Sequence, residues 1–583
     1  GFDKVVLINA SYGLGEMVAQ GGVTPDEFVV FKPTSGIIEK THGAKKRKLV
    51  YGSEGTKQVA VPQRDRNKPC LSDKEILKLA QWGVVIERHF GRAMDIEWAK
   101  DGKGKLFVLQ ARPETVHASR VQHVHREYRL KEEGIVLVRG MAVGTKIASG
   151  KVRVIHQVKD MARLQRGEVL VASITDPDWE PVMKGAVAVV TDKGGRTSHA
   201  AIIAREFGIP AVVGTGNATK KLRTGQEVTV DCSSGDEGRA YKGVLKFEIK
   251  ERLLASVPKI KTKVMVNIGA PEEAFKNAWL PVRGVGLGRL EFLINSYITI
   301  HPNALIGYRK LKGKTKKEID GLTIGYRDKK QFYIDKLAQG IAKIGVAFWP
   351  HEVIIRFSDF KTNEYRQLVG GELYEQVESN PMLGWRGASR YYDERFREAF
   401  GLECAAIKKV REEMRLGNVT PMVPFCRTPE EGRKVLTLME QHGLSKTKDP
   451  ELMIYVMCEI PSNVILADEF LDLFDGMSIG SNDLTQLVLG IDRDAGMGSA
   501  IGNETNEAVK RMIATVITKC KERGKYVGIC GQAPSDYPEF TRFLVEKGID
   551  SISLNPDAVI PTIMQVAALE EKNNREYNKK HSK

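Results

Sequence analysis

Eight short apolar runs recur along the C-terminal part of this chain, each ending in polar or glycine-rich residues. They are Val264 to Ile268, Gly284 to Leu287, Val353 to Arg356, Thr420 to Pro424, Leu452 to Glu459, Gly476 to Ile479, Tyr526 to Cys530 and Ser551 to Leu554. A helical pattern follows most of them. Eight strand–helix units in about 315 residues are what a closed (β/α)8 TIM barrel with insertions requires. An open, doubly wound sheet is the alternative the pattern leaves standing. The polar, basic stretch Gly307 to Lys330 reads as part of a long insertion between the second and third runs.

The expected class is α/β throughout, in three parts: residues 1–118, 119–257 and 258–583. The first part alternates short apolar runs (Val5 to Ile8, Glu27 to Phe31, Leu106 to Leu109) with polar stretches. Its one helical pattern, Ser72 to Phe90, opens on Ser72 with Glu75 three residues on, the spacing of a capping box. A linker rich in His and Arg, His117 to Arg129, leads into the second part. There Val152 to Ile155, Glu168 to Val171, Ala186 to Val190, Ala211 to Val213 and Glu227 to Val230 read as strands, with Gly194 to Phe207 as a helix among them. That alternation predicts a compact mixed α/β domain.

Composition excludes several classes of function. No stretch approaches the roughly 18 consecutive apolar residues of a membrane span. Gly1 to Leu7 has neither the basic region nor the long apolar region of a secretory signal. Seven cysteines without a CxxC pair argue against a disulfide scaffold or zinc ribbon and for a reduced, cytoplasmic compartment. The net charge of +16 comes from 89 basic against 73 acidic residues. The excess is spread thinly, densest at Lys45 to Lys48, Arg309 to Lys317 and Lys579 to Lys583, with no RNP-like signature beside it. We read it as solvated surface that also suits small phosphorylated substrates, with no nucleic acid expected. The alternative of another class is a non-catalytic basic scaffold binding RNA or another polyanion.

If the barrel closes, reactive side chains belong at the carboxyl ends of its strands. Arg289 follows the second run, Arg356 closes the third, Glu459 closes the fifth, Asn482 and Asp483 follow the sixth, and Cys530 closes the seventh. Glu459 and Asp483 lie 24 residues apart, about one strand–helix repeat. Two carboxylates from neighbouring strand ends can converge on one hard cation, with water and a substrate oxygen completing its shell. Each acid alone reads as a helix cap; two arginines beside them move the reading toward a metal and anion site. Arg289, Arg356, Arg386 and Arg493 offer the planar fork that holds carboxylate or phosphate, although any one alone is an ordinary surface ion-pair partner. Cys530 sits among glycines that let a ligand approach, and a buried inert thiol is its plainer reading.

The second part has one sharp feature, Gly194-Gly195-Arg196-Thr197-Ser198-His199 followed by an alanine-rich helix. His199 would stand in that helix's first turn, where free N–H groups and the positive end of the dipole favour an anion. An imidazole there suits a phosphoryl group better than a proton, as a covalent nucleophile, with Arg196 and Thr197 as donors. A lone histidine with a structural role is the plainer alternative.

At these residues the chain resembles a known family. Gly194 to Arg205 is similar to the phosphohistidine signature of the phosphoenolpyruvate-utilising phosphotransferases, and Gly476 to Arg493, containing Ser478 to Gln486, resembles their second signature. Thr175 to Pro181, Met457 to Asn463 and Gly528 to Asp536 extend the likeness, and the last favours the pyruvate-and-water branch over pyruvate, phosphate dikinase, while the sugar-transport Enzyme I would carry a helical partner-binding insert and not the Asp95 to Thr115 type of sequence. The resemblance implies an ATP-grasp domain that passes the β-phosphoryl of ATP to histidine. A swivelling domain then carries it to a (β/α)8 barrel, where pyruvate accepts it as an enolate held by Mg2+. Water takes the γ-phosphoryl, so the products are phosphoenolpyruvate, AMP and phosphate. His199 matches the carrier, Glu459 and Asp483 the magnesium ligands, and Cys530 the acid that exchanges a proton with the enolate carbon. Arg289, Arg356 and Arg386, with Ser481 and Asn482 alongside, match substrate contacts.

In the first part, Ser11 to Glu16, Asp95 to Trp98 and Gln110 to Thr115 resemble the metal- and phosphate-binding end of the ATP-grasp domain, with Glu97, Gln110 and Arg112 at nucleotide-site positions. The N-terminal portion of that domain is expected to be missing, which leaves the ATP site incomplete. The family also implies a homo-oligomer, dimeric or larger, with no membrane partner.

Overall fold

The computed structural model describes residues 2–581 except 20–21, 54, 67, 114–123, 176–178, 194–198, 234–236, 254–256 and 492–503. The chain divides into two compact units, one of Gly1–Val121 with Ile260–Lys583 and one of Gln122–Lys259.

All eight apolar runs of the C-terminal part are strands: β1 (Lys263–Ile268), β2 (Gly284–Arg289), β3 (Glu352–Arg356), β4 (Val419–Val423), β5 (Tyr455–Cys458), β6 (Gly476–Ile479), β7 (Tyr526–Ile529) and β8 (Ser551–Leu554). They pair in chain order into a closed barrel. β8 returns to β1 in parallel, with Lys263 beside Ser551 and Val266 beside Leu554, which excludes the open sheet. Continuous burial of β4, β5, β6 and β8 explains their apolar, non-alternating sequences, since a barrel strand is covered on both faces.

Strand β5 is shorter than its apolar run. At one end the Ile454 amide donates to Asp475 (2.8 Å), and at the other the Glu459 amide donates to Asn463 Oδ1 (3.2 Å). Side chains thus take the backbone groups that a longer ladder would have used, and Glu459 becomes the first residue beyond the strand. Between β2 and β3 the long insertion is helical, with Gly313–Leu322 and Lys329–Ala347 as its main elements.

Behind β3 lies a buried polar core. Arg390 is fully buried and forks onto Glu375 through two bonds of 2.6 and 2.9 Å, and it also donates to the Trp385 carbonyl. Its guanidinium lies 3.9 Å from the Trp385 ring. This pair fixes the loop that carries Arg386. Nearby, the helix Arg397–Glu412 brings in Glu403, also fully buried, which accepts the amide and hydroxyl of Ser358 at 3.0 and 2.5 Å.

The N-terminal part contributes an antiparallel sheet of Val5–Ala10, Asp26–Phe31 and Gly36–Thr41, packed on the helix Asp73–Phe90 through Ile8, Phe28, Ile76 and Leu79. The Ser72 amide donates to Glu75 at 2.8 Å, as the expected capping box requires. Two strands, Met94–Lys100 and Leu106–Pro113, form a hairpin. In the second unit seven strands close into a smaller barrel, and the helix His199–Phe207 packs Ala200, Ala201 and Ala204 against it. All seven cysteines are free thiols, and among the described residues no helix is long and apolar enough to cross a membrane.

Burial pushes the Glu403 carboxyl up from 4.5 to about 7, against the two Ser358 bonds that favour its charge. The folded chain therefore holds a proton that the unfolded chain has released, and stability falls as pH rises from 4.5 to about 7. Unfolding in urea at a series of pH values is expected to show that Glu403→Gln removes a fall on the order of 3 kcal/mol.

Candidate active site

The barrel's carboxyl ends gather charge of both signs. Arg356, last residue of β3, donates from Nη2 to Glu291 Oε1 at 2.6 Å, and its Nη1 lies 3.8 Å from Asp359. Glu291 follows β2 and accepts the Asp359 amide at 2.7 Å with the same oxygen. The ends of β2 and β3 are thereby locked together. Asp359 forks onto Arg386 through bonds of 2.9 and 2.5 Å, and Arg386 Nη2 continues to Asp483 Oδ2 at 3.2 Å. The Arg386 guanidinium lies 4.0 Å from the Phe425 ring. Gly387 must be glycine for this approach: its φ is +59°, and a Cβ there would lie 2.5 Å from that of Phe425.

Glu459 is buried directly after β5. Its Oε1 accepts the Phe425 amide at 2.7 Å. Phe425 takes φ +44°, a strained value for a bulky residue that helps to aim this amide. Asn463 holds the Glu459 backbone from the other side and donates to the Cys426 carbonyl at 2.7 Å. Asp483 stands in the first turn of the helix Ser481–Leu489, after β6.

One oxygen each of Asp359, Glu459 and Asp483 lie within 4.8 Å of one another. Burial, then the charges of Asp483 and Asp359, push the Glu459 carboxyl up to about 8 despite Arg356 and Arg386. A trio of this kind, two of its members buried and Asp483 half-buried, is electrostatically incomplete without further positive charge. Its donors are hard oxygens, so the residues present fit Mg2+, Mn2+ or another oxygen-seeking divalent cation.

Cys530 lies across the mouth, just after β7. Ser478 donates to its sulfur at 3.3 Å, and burial pushes the thiol up to about 11, moderated by Arg356 and Arg289. The thiol therefore carries its proton at neutral pH. Asn482 Oδ1 accepts the Gln532 amide at 3.2 Å. Ser481 Oγ is buried without a hydrogen-bond partner, and a Cβ on Gly531 would fall 1.8 Å from it. Arg289 ends β2, its guanidinium 5.9 Å from the Phe292 ring.

The eight barrel residues singled out from sequence, Arg289, Arg356, Arg386, Glu459, Ser481, Asn482, Asp483 and Cys530, all lie at strand ends or in the loop or first helical turn beyond them. Asp359 and Glu291 were not singled out. Asp359 carried a signal of its own, an acid three residues past a strand-terminal arginine. In the other unit His199 opens its helix as expected; Arg196, Thr197 and the glycine pair lie outside the described residues, as do Arg493 and Asp176 to Asp178. Glu97 and Gln110 face each other across the N-terminal hairpin, and Arg112 forks onto its neighbour Asp95 at 2.9 and 2.8 Å.

Calorimetric titration with Mn2+ tests the carboxylate trio. Asp359→Asn is expected to lower affinity at least about 10-fold, and affinity equal to that of the unmodified protein would remove Asp359 from the site.

Three family models match the chain. A model of the PEP-utilising enzyme, PEP-binding domain matches residues 246–571. The pyruvate phosphate dikinase AMP/ATP-binding domain matches 1–132, and the PEP-utilising enzyme mobile domain matches 164–235. The chain is 54% identical to the phosphoenolpyruvate synthase of Aquifex aeolicus over 98% of its own length and 74% of that protein's. It is likewise 54% identical to that of Synechocystis over 98% and 72%, and 51% identical to that of Escherichia coli over 98% and 73%.

Proposed function

Given that the chain belongs to the phosphoenolpyruvate synthases, the pyruvate, water dikinases that make phosphoenolpyruvate from pyruvate, ATP and water, we propose that its barrel mouth holds the three-carbon substrate and that His199 carries the phosphoryl group. The observation that carries this reading is the close trio Asp359, Glu459 and Asp483 beside two guanidiniums and a protonated thiol.

A ring nitrogen of His199 takes the β-phosphoryl of ATP, and water takes the γ-phosphoryl, releasing AMP and phosphate. Residues 119–257 act as the swivelling carrier, and residues 1–118 as the C-terminal part of the nucleotide domain. The helix start at His199 supports this role, because free N–H groups favour the added negative charge. Glu97, Gln110 and Arg112 share one exposed face of a hairpin and would contact nucleotide there.

At the barrel, Arg289 and Arg356 hold the substrate's carboxylate and the incoming phosphoryl, and Asn482 and Ser481 line the same mouth. Ser481 Oγ, buried and unpaired, is free to donate to a substrate oxygen. Arg386 is spent largely on Asp359 and Asp483, so its contribution is to hold those carboxylates in place. A divalent cation, Mg2+ in this reading, bound by Glu459 and Asp483 with Asp359 beside them, would supply the charge that favours an enolate oxygen. Removal of a methyl proton from pyruvate gives the enolate, whose oxygen takes the phosphoryl from His199. Cys530 exchanges that proton: in the reverse direction its thiol, held protonated by burial, delivers a proton to the methylene carbon.

Two experiments test the division. Incubation with Mg2+ and phosphoenolpyruvate labelled in its phosphate should place acid-labile label on His199, and His199→Ala should remove it. Retention of label in that variant overturns the carrier assignment. Cys530→Ala should keep this methylene-side chemistry blocked, lowering exchange of pyruvate methyl protons by 100-fold or more while substrate binding persists; unchanged exchange would exclude the thiol.

A further inference from the structure

The turn that delivers Asp359 to the carboxylate trio is held at the residue before it. Ser358 is almost fully buried, 1% exposed, and each of its polar groups is taken. Its amide donates to Glu403 Oε2 at 3.0 Å, and its hydroxyl donates to Glu403 Oε1 at 2.5 Å. The hydroxyl also lies 2.8 Å from the Tyr365 hydroxyl, and the Ser358 carbonyl accepts from Tyr391 at 2.7 Å. The next amide, of Asp359, is taken by Glu291. Turning the Ser358–Asp359 backbone away from Glu459 and Asp483 therefore breaks buried hydrogen bonds.

A carboxylate is an unusual choice for this task. Glu403 is fully buried; Ser358 supplies both of its hydrogen bonds, and the charge of the buried Arg390 favours its ionised form without a bond between the two. A buried acid without a bonded cation costs stability unless its oxygens are fully used. Here both oxygens go to one residue, which fixes the Ser358 peptide and side chain together. An amide keeps both contacts only if the Ser358 hydroxyl turns to accept, and an apolar side chain keeps neither.

We infer that Glu403 is a positioning residue of the cation site: by binding the Ser358 amide and hydroxyl it sets where the Asp359 carboxylate stands. This rests on the reading of Asp359, Glu459 and Asp483 as cation ligands. Glu403 touches neither substrate nor cation, and its effect passes through two bonds and one turn.

The test uses Mn2+ as probe on the full chain, with affinity and the electron paramagnetic resonance line shape of bound Mn2+ as readouts. Glu403→Leu keeps the volume and removes both acceptors; its Mn2+ affinity should fall at least about 10-fold, as for partners that orient a ligand in other metal sites. Glu403→Gln keeps one acceptor for the amide while the hydroxyl turns to accept, so it should restore most of the affinity. Tyr333→Phe is the control for general loosening, since the Tyr333 hydroxyl is buried in the same core without a partner. It should leave affinity and line shape unchanged. Equal affinity in Glu403→Leu and the unmodified protein overturns the inference, and so does an equal loss in Tyr333→Phe. If Glu403→Leu fails to fold, Ser358→Ala decides: weaker Mn2+ binding supports the inference, and unchanged binding overturns it. Glu459→Gln separates the two levels, because intact Mn2+ binding there would overturn the cation site itself, whatever Glu403 does.

Discussion

Three carboxylates within 4.8 Å of one another, set in a barrel mouth beside two guanidiniums, are the constraint on which the rest depends. Repulsion among them favours separation, and the Arg386 fork onto Asp359 with its reach to Asp483 opposes it. The surrounding architecture consists largely of supports for that arrangement. Glu375 and Arg390 hold the loop of Arg386, Asn463 and the Phe425 amide hold Glu459, and Glu291 ties Arg356 to the Asp359 backbone. An open sheet would not serve, since contributions from β2 to β7 must face a common centre.

Much of this was legible in the residues. The eight barrel strands were found because each is buried on both faces and so reads as an uninterrupted apolar run, bounded by glycine or polar residues. Glu459 and Asp483 were legible for a related reason: acids immediately after such runs have few roles apart from capping. Asp359 was harder. It follows β3 by three residues through a turn whose direction is set by Glu403, on a helix more than 40 residues further along the chain. No local pattern encodes that dependence. The shortening of β5 was equally hidden, because Asp475 and Asn463 compete for its terminal amides from outside the run.

The cysteine shows why environment outweighs residue type. Sequence left Cys530 divided between an inert core thiol and a proton donor. Its burial would suit either, but Ser478 donating to the sulfur and the nearby arginines set it apart from Cys404 and Cys458, which burial, reinforced by the neighbouring Glu403 and Glu459, holds far above the usual thiol range. The N-terminal hairpin depends on register as well: Glu97 stands against Gln110 and Asp95 against Arg112 on one side of a shift in register between Glu97 and Trp98.

Gly531 lies close against Ser481. With no room for even one methyl group there, the loop bearing the thiol and the helix bearing Asn482 and Asp483 interlock like two gear teeth. Neither can drift by an ångström without dragging its neighbour. Substitutions at the rim of the mouth would leave that contact untouched, but the spacing between the Cys530 thiol and the Asp483 carboxylate would change only as a single character.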